Sequence, residues 1–382
     1  MSYKKQNLLK DIERDKIIKA AEFAEKIIKP NAQEWESAKT QPVESLRQAI
    51  RQFAGINIPA ELGGEGLSFS TLLRCYEELA ARDLGFTCAL AVHCVVAAAT
   101  AKIIDTELRS NNVSALISGE SIGAFVLTEP DAGSDAGSIK SHAERKNGGF
   151  CLTGHKAWVT NGSNADFLLT FCQTDTTKGA KGIACFALER SQRGMNFSAP
   201  IRMLASHAMG TTNLQLDKVE ASQQQLAFPP GIAFSTAMAG LNIARIGVAA
   251  MCNGALLGGL KAAIKYATER HAFGQSIYNF QKIQFALAEI ATQLEASRSL
   301  TFQAAHQLDS GIDSTLFAAH AKKFATQTAF KGLSDCLQVF GANGLKDEYD
   351  IHRQMSAARV CEFMDGTSEI QNLVIARALK SS

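Results

Sequence analysis

The sequence lacks the features that mark nucleic-acid and membrane proteins. Its 382 residues carry 39 Lys and Arg against 37 Asp and Glu, which leaves no charge excess of either sign to attract a charged partner. The N-terminal stretch mixes acidic with basic residues, unlike a signal or transit peptide. We read no apolar stretch as an uninterrupted span of the ~18 residues that a bilayer requires. We therefore expect no nucleic-acid partner, no membrane partner and a cytoplasmic location.

Metal-binding spacings are also missing. The nine cysteines contain no C-x-x-C pair, and the eight histidines contain no H-x-x-x-H or H-E-x-x-H spacing. Scattered single cysteines usually serve as small buried hydrophobic residues. We therefore expect no metal site.

Proline is absent after Pro230, and this absence helps to divide the chain into three regions. Residues 1–119 repeat apolar residues at helical spacing, which predicts an N-terminal α-helical domain. Residues 120–227 hold short alternating runs divided by Gly, Asn and Asp, which predicts a small antiparallel β-domain. Residues 228–382 predict a C-terminal helical domain, where Ile283, Leu287, Ile290 and Leu294 fall on one helix face.

The most specific stretch is GAFVLTEPDAGSD at residues 123–135. Further distinctive stretches follow in order: GHKAWVTNG from Gly154, ERHAFGQSI from Glu269, QVFGANG from Gln338 and GTSEIQ from Gly366. This series resembles the signatures of the acyl-CoA dehydrogenase family across nearly the whole chain. The resemblance implies an α+β fold with a middle β-domain and a C-terminal four-helix bundle. It also implies FAD as cofactor and a homotetramer built as a dimer of dimers.

The resemblance assigns a first set of residues to the cofactor. Thr128 and Thr160 would donate to the edges of the flavin ring, and Trp158 would lie against its face. Gly133 and Ser134 would hold the pyrophosphate or the carrier arm of the substrate. The remaining cofactor contacts carried over are Phe125, Leu127, Thr367 and Glu369.

A second set is expected to reach the FAD of the neighbouring subunit. Arg270 offers a fork of donors suited to a pyrophosphate. The others in this set are Phe273, Gln281, Gln338 and Gly341. Asn242 and Arg245 match positions that line the thioester arm, as does Ser134.

Asp365 occupies the position where the family usually has its catalytic Glu. In family members a carboxylate removes the α-proton of an acyl thioester while the β-hydrogen leaves as hydride to flavin N5. A minority carry the Glu on a helix at the position matched here by Ala244, which cannot accept a proton. Asp also favours helix entries, so a capping role for Asp365 competes with the role of base.

Other departures mark a divergent member. His207 stands where an Arg is common, and Asn372 stands where an Arg often follows Glu-Ile-Gln. The expected activity is dehydrogenation of a thioester of CoA or acyl carrier protein, with an electron-transfer flavoprotein as acceptor. The alternatives are a flavin oxidase resembling nitroalkane oxidase, a relative that uses Asp, and a flavin-binding relative without catalysis.

Overall fold

The computed structural model describes residues 3–381, and its N-terminal part is helical as predicted. Side-chain caps fix three helix starts there: Ser68 accepts from Thr71 N–H, Asp83 from Phe86 N–H and Asp105 from Leu108 N–H. The helices are α1 Tyr3–Phe23, α2 Lys29–Ser37, α3 Val43–Phe53, α4 Phe69–Ala80, α5 Leu84–Thr100 and α6 Thr106–Ser118.

The middle region forms one sheet in the strand order β6-β7-β3-β2-β4-β5-β8, with β1 paired to β4. The strands are β1 Gly123–Val126, β2 His142–Lys146, β3 Gly149–Val159, β4 Phe167–Gln173, β5 Ile183–Glu189, β6 Met195–Phe197, β7 Thr212–Ala221 and β8 Leu226–Phe228. The predicted antiparallel pairing holds for most of the sheet but is wrong at β4: β1 runs parallel to β4 from the pair Gly123–Phe167 to Val126–Thr170, and β2 meets β4 in one parallel pair, His142–Gln173. The pairing of β1 with β4 directs the C-terminal end of β1 toward the site described below.

Helices return after Pro230. They are α7 Ala233–Glu269, α8 Gln281–Asp309, α9 Thr315–Phe340, α10 Ile351–Cys361 and α11 Ser368–Ser381, with a small hairpin of β9 His271–Ala272 and β10 Gln275–Ser276 after α7. The predicted apolar face of α8 is confirmed, since Leu287, Ile290 and Leu294 are buried and Ile283 packs against the same core.

Helix α7 is the central helix, and α4, α5, α8, α9 and α10 contact it. Its buried residues join one apolar core with α4, α5, α8 and α9, and its first turns join a second core with β1 and β4. Within residues 3–381, α7 alone is long and apolar enough to cross a membrane, and 83% of its most apolar window is buried inside the protein. Buried core helices meet the same criterion of length and composition.

Candidate active site

The ends of β1 and β3 meet beside a buried ion pair. Ala157 N–H donates to the Thr128 carbonyl at 2.9 Å, so Thr128 lies next to the strand end that carries Trp158. Lys156 Nζ lies 2.7 Å from Glu129 Oε1 and 3.1 Å from the Leu127 carbonyl. These bonds fix the backbone of residues 127–129, which include Leu127 and Thr128, the two residues here that the sequence assigned to the cofactor.

Glu129 organises the loop that follows. Its carboxylate accepts from Lys140 N–H at 2.6 Å and from Ser141 N–H at 2.9 Å, as well as from the buried Lys156. Burial alone would raise the pKa of Glu129, but Lys156 and these N–H donors hold it below its ordinary value. The sequence assigned no role to Glu129 or Lys156, although both stand inside the quoted motifs.

The surface around these strand ends suits a planar aromatic ligand. Trp158 has a positive φ of 57° and 59% of its surface is exposed. Among the residues that the structure describes, the hydroxyls of Thr128 and Thr160 have no hydrogen-bond partner, so both are available to a ligand. Gly133 and Ser134 are exposed, and a Cβ placed at Gly133 would meet no atom within 4 Å. The loop therefore leaves room for a phosphate or a carrier arm.

Asp365 lies in a strained turn before α11. Its φ is 53°, and Gly366 follows with a φ of 92°, a pair of left-handed conformations that Asp and Gly tolerate best. No hydrogen bond reaches its carboxylate from the residues whose side chains the structure describes, 10–380, and α11 begins at Ser368, with Thr367 at its entry. Nothing in this geometry corresponds to a helix cap formed by the Asp365 side chain.

Three side chains hold the backbone of this turn. Arg245 Nε donates to the Asp365 carbonyl at 3.0 Å, and Gln371 Nε2 donates to the Gly366 carbonyl at 2.8 Å. Lys322 Nζ donates to the carbonyls of Glu362 and Gly366, both at 2.8 Å. Lys322 was not identified from the sequence. Its position among the buried alanines of α9 is the feature that could have identified it.

Burial raises the pKa of the Asp365 carboxyl above its ordinary value, while the Lys322 ammonium and the Arg245 guanidinium oppose that rise. Phe363 and Met364 directly precede Asp365 in the sequence and could supply an apolar flank for its carboxylate. Met364 does pack inward, with its sulfur 3.7 Å from Cys88 Sγ, but Phe363 is 59% exposed beneath the Arg359 guanidinium. Cys88 and the surrounding helices therefore replace Phe363 as the apolar surroundings.

Asn242 and Arg245 are joined to this turn by a chain of polar contacts. Arg245 Nη1 donates to Asn242 Oδ1 at 2.9 Å, and Asn242 Nδ2 donates to Thr315 Oγ1 at 2.8 Å. Thr367 lies at the entry of α11 and contacts the exposed Glu369, whose pKa this hydrogen bond lowers. Phe125 lies on β1 and packs within 3.7 Å of the position of a Cβ at Gly240 on α7. The structure thus brings Asp365, Arg245 and Asn242 together.

The remaining predicted contacts lie apart from this cluster, on the surface of the C-terminal domain. Phe273 and Gly274 both have positive φ and form the turn between β9 and β10, where Phe273 is 95% exposed. Positive φ at both central residues is typical of a type I′ hairpin turn. The others in this exposed set are Arg270, Gln281, Gln338 and Gly341.

Models of the acyl-CoA dehydrogenase N-terminal, middle and C-terminal domains match residues 13–120, 124–219 and 234–380. The chain belongs to the acyl-CoA dehydrogenase family. It is 34% identical to an acyl-CoA dehydrogenase of Bacillus subtilis over 94% of this chain and 95% of that protein. A structure reported in work on the electron transferring flavoprotein of Acidaminococcus fermentans has a TM-score of 0.95 and 34% identity, covering 97% of this chain and 98% of that one. Butyryl-CoA dehydrogenase of Megasphaera elsdenii has a TM-score of 0.95 and 30% identity, with the same coverages.

As a member of this family, the protein is an oxidoreductase that acts on CH–CH bonds, and its cofactor is FAD. The exposed Trp158 face, the free hydroxyls of Thr128 and Thr160 and the open loop at Gly133 fit a flavin and its pyrophosphate. No group of three or more His, Cys, Asp or Glu side chains converges as a metal site within the described part of the chain. The predicted family, fold and cofactor are therefore confirmed, and the individual roles of the site residues stay predictions.

Proposed function

We propose that the protein oxidises a short, uncharged acyl thioester to its α,β-unsaturated product, with Asp365 as the base that removes the α-proton. The observation that carries this proposal is the Asp365 carboxylate, which is partly buried, has no hydrogen-bond partner among the described residues and lies beside two cations. A carboxylate in these surroundings is available to accept a proton from carbon. FAD, when bound, would accept the β-hydrogen as hydride.

The residues around Asp365 supply orientation. Arg245 holds the Asp365 carbonyl, and its own position is fixed by Asn242 and Thr315. Because Asp is one methylene shorter than Glu, the α-carbon of the substrate must come closer to the turn than it would for a Glu base. A misplacement of about 1 Å can lower a rate by about 10²-fold, so these contacts bear directly on turnover.

A cavity lined by Ala244, the residue before Arg245 in the chain, is too small to hold a long acyl chain, and this limited space is the reason for proposing a short one. It lies between α4, α5 and α7, and its volume is about 10 Å³, close to the space that one water molecule needs. Ala244, adjacent to Arg245, lines it together with Tyr76, Ala91 and Cys94, and no charged side chain does so. A long acyl chain would therefore clash with side chains. A second carboxylate placed in this cavity would find no countercharge there.

Assembly and electron transfer complete the proposal. Arg270 and Gln338 are exposed and make no side-chain hydrogen bond within the described residues, as expected of groups that reach the FAD of a neighbouring subunit. We therefore include a homotetramer in the proposal. An electron-transfer flavoprotein is the proposed acceptor, supported by the similarity to the Acidaminococcus structure, and CoA or an acyl carrier protein is the proposed carrier. A cytoplasmic location accords with these partners.

The test is anaerobic mixing of the FAD-loaded protein with butyryl-CoA and octanoyl-CoA while flavin absorbance is followed. We expect butyryl-CoA to bleach the flavin faster. Asp365→Asn should slow that reduction by about 10² to 10⁴-fold, the usual contribution of a general base, with unchanged FAD content. Asp217→Asn, which neutralises an exposed carboxylate on β7, is the matched control and should behave as the parent.

Equal reduction rates in the parent and Asp365→Asn would refute the role of the base. Rapid oxygen consumption during turnover would favour the oxidase alternative. If no thioester bleaches the flavin, the proposed reaction is refuted and the non-catalytic alternative is favoured.

A further inference from the structure

Lys322 is a buried cation to which the proposed reaction assigns no role. It lies on α9 with a fully buried side chain, and its Nζ bonds the carbonyls of Glu362 and Gly366, one on each side of Asp365. It forms no salt bridge within 4.0 Å among the residues described. An ammonium group is costly to bury without a paired anion, so a buried lysine calls for an explanation.

The turn that Lys322 holds is unusual in its conformation. Asp365 and Gly366 both have positive φ, and a non-glycine residue keeps this unfavourable conformation only where its surroundings enforce it. The carbonyls on this turn receive donors from three helices: Lys322 on α9, Arg245 on α7 and Gln371 on α11. Lys322 bonds the turn at both ends, so it links residues 362 and 366 across Asp365.

Lys322 also contributes charge. The groups that face Asp365 are Lys322 from α9, Arg245 from α7 and the Cys88 thiol from α5. Lys322 is the stronger of the two cations that oppose the effect of burial on the pKa of Asp365. Burial lowers the pKa of Lys322 itself, and the Asp365 carboxylate is the main influence opposing that change. Each group therefore favours the charged form of the other.

We propose that Lys322 is a positioning residue, which fixes the turn that presents Asp365 and keeps its carboxylate ionised for proton abstraction. This inference rests on the proposed function. It predicts two separable effects of Lys322, one through hydrogen bonds to the turn and one through charge. Two substitutions distinguish them.

Lys322→Met fills much of the same volume but removes both the donors and the charge, whereas Lys322→Gln retains an N–H donor and removes only the charge. We expect Lys322→Met to slow flavin reduction by butyryl-CoA by about 10²-fold, as for a misplaced group. Lys322→Gln should slow flavin reduction by a smaller factor, because it keeps an N–H donor to the turn. In both variants the acid limb of the pH–rate profile should move to higher pH, because Asp365 loses a neighbouring cation. Lys323→Met, at the adjacent and only partly buried lysine, should keep the parent rate and profile.

A second readout does not depend on turnover. The carboxyl band of Asp365 can be followed by infrared spectroscopy as a function of pH and assigned as the band that Asp365→Asn lacks. Its midpoint should rise in Lys322→Met and Lys322→Gln. An unchanged midpoint in both variants would overturn the inference even if no thioester proves to be a substrate. A raised midpoint in a protein that reduces no flavin would retain the link between Lys322 and Asp365 and reject the proposed reaction alone.

Discussion

Buried histidines illustrate how a single residue joins parts of this protein. His207 Nδ1 lies 2.7 Å from Glu36 Oε1 on α2, and its Nε2 accepts from Met203 N–H at 3.2 Å. The sequence identified His207 only as a replacement for a common Arg. Its partner Glu36 is 171 positions away, so the pair could not be predicted from local spacing. Lys322 and its carbonyl partners were missed for the same reason, whereas Asp365 was found because a motif surrounds it.

His93 gives the protein a predictable response to acid. Its Nδ1 accepts from Gly123 N–H and its Nε2 donates to the Leu116 carbonyl, both at 3.0 Å. Burial lowers the pKa of His93 to about 4, against about 6.5 in an unfolded chain. The folded state thus binds fewer protons, so this contribution is present above about pH 6.5 and is lost as pH falls toward 4.

We expect the free energy of unfolding to fall by about 3 kcal/mol through this residue between those pH values. Urea titrations at a series of pH values, with saturating FAD, measure it. His93→Gln should be less stable at neutral pH but should decline less steeply on acidification. His155→Gln, at an exposed histidine, should retain the slope of the parent. Equal slopes in all three proteins would contradict the assignment.

At the scale of elements, helices could be predicted better than strand pairing. The face of α8 was correct because burial of one side imposes a period that the sequence displays directly. The parallel pairing of β1 with β4 was missed, because a short run such as GAFV fits either direction. Forty residues, 127–166, lie between the end of β1 and the start of β4, and the alternation of apolar and polar residues does not indicate the direction in which two such distant strands pair.

Helix α7 packs on α4 through glycines that the sequence pattern did not single out. A Cβ at Gly258 would lie 2.3 Å from the Ala81 carbonyl oxygen, whereas a Cβ at Gly240 would have its nearest neighbours at 3.7 Å. The contact at Gly258 is with backbone, which cannot rotate away. The distance between the two helices therefore depends on the absence of a side chain there.

We expect Gly258→Ala to destabilise the protein by about 1–3 kcal/mol, the usual cost of overpacking. Gly240→Ala, in the same helix, should be neutral or stabilising by up to about 1 kcal/mol through helix propensity. Thermal unfolding of both variants beside the parent makes the comparison. If Gly258→Ala unfolds at or above the temperature of Gly240→Ala, the packing of α4 against α7 does not depend on the absence of a side chain at residue 258.

At the scale of the whole molecule, the exposed apolar side chains of the C-terminal domain stand out. Phe273 is 95% exposed, Leu345 70% and Phe285 63%. Exposed apolar groups that cluster commonly mark a protein–protein contact. They share this domain with Arg270 and Gln338, which the family resemblance assigns to the FAD of a neighbouring subunit. A proposed interface that carries both features couples assembly to cofactor binding.

This coupling predicts that one apolar substitution weakens assembly and FAD binding together. Phe273→Ser should remove about 2 kcal/mol or more from subunit association, the threshold for an interface hot spot, which corresponds to about 30-fold in the dissociation constant. Light scattering should then detect smaller species, and the same samples should retain less FAD after gel filtration.

Ile104→Ser, at a 74% exposed residue of the N-terminal domain, provides the control and should keep the mass and flavin content of the parent. If Phe273→Ser loses neither subunits nor FAD, the β9–β10 hairpin does not belong to the interface, and the assignment of Arg270 to a neighbouring FAD loses its support. If Phe273→Ser loses FAD but keeps the mass of the parent, the β9–β10 hairpin contacts the FAD of its own subunit instead.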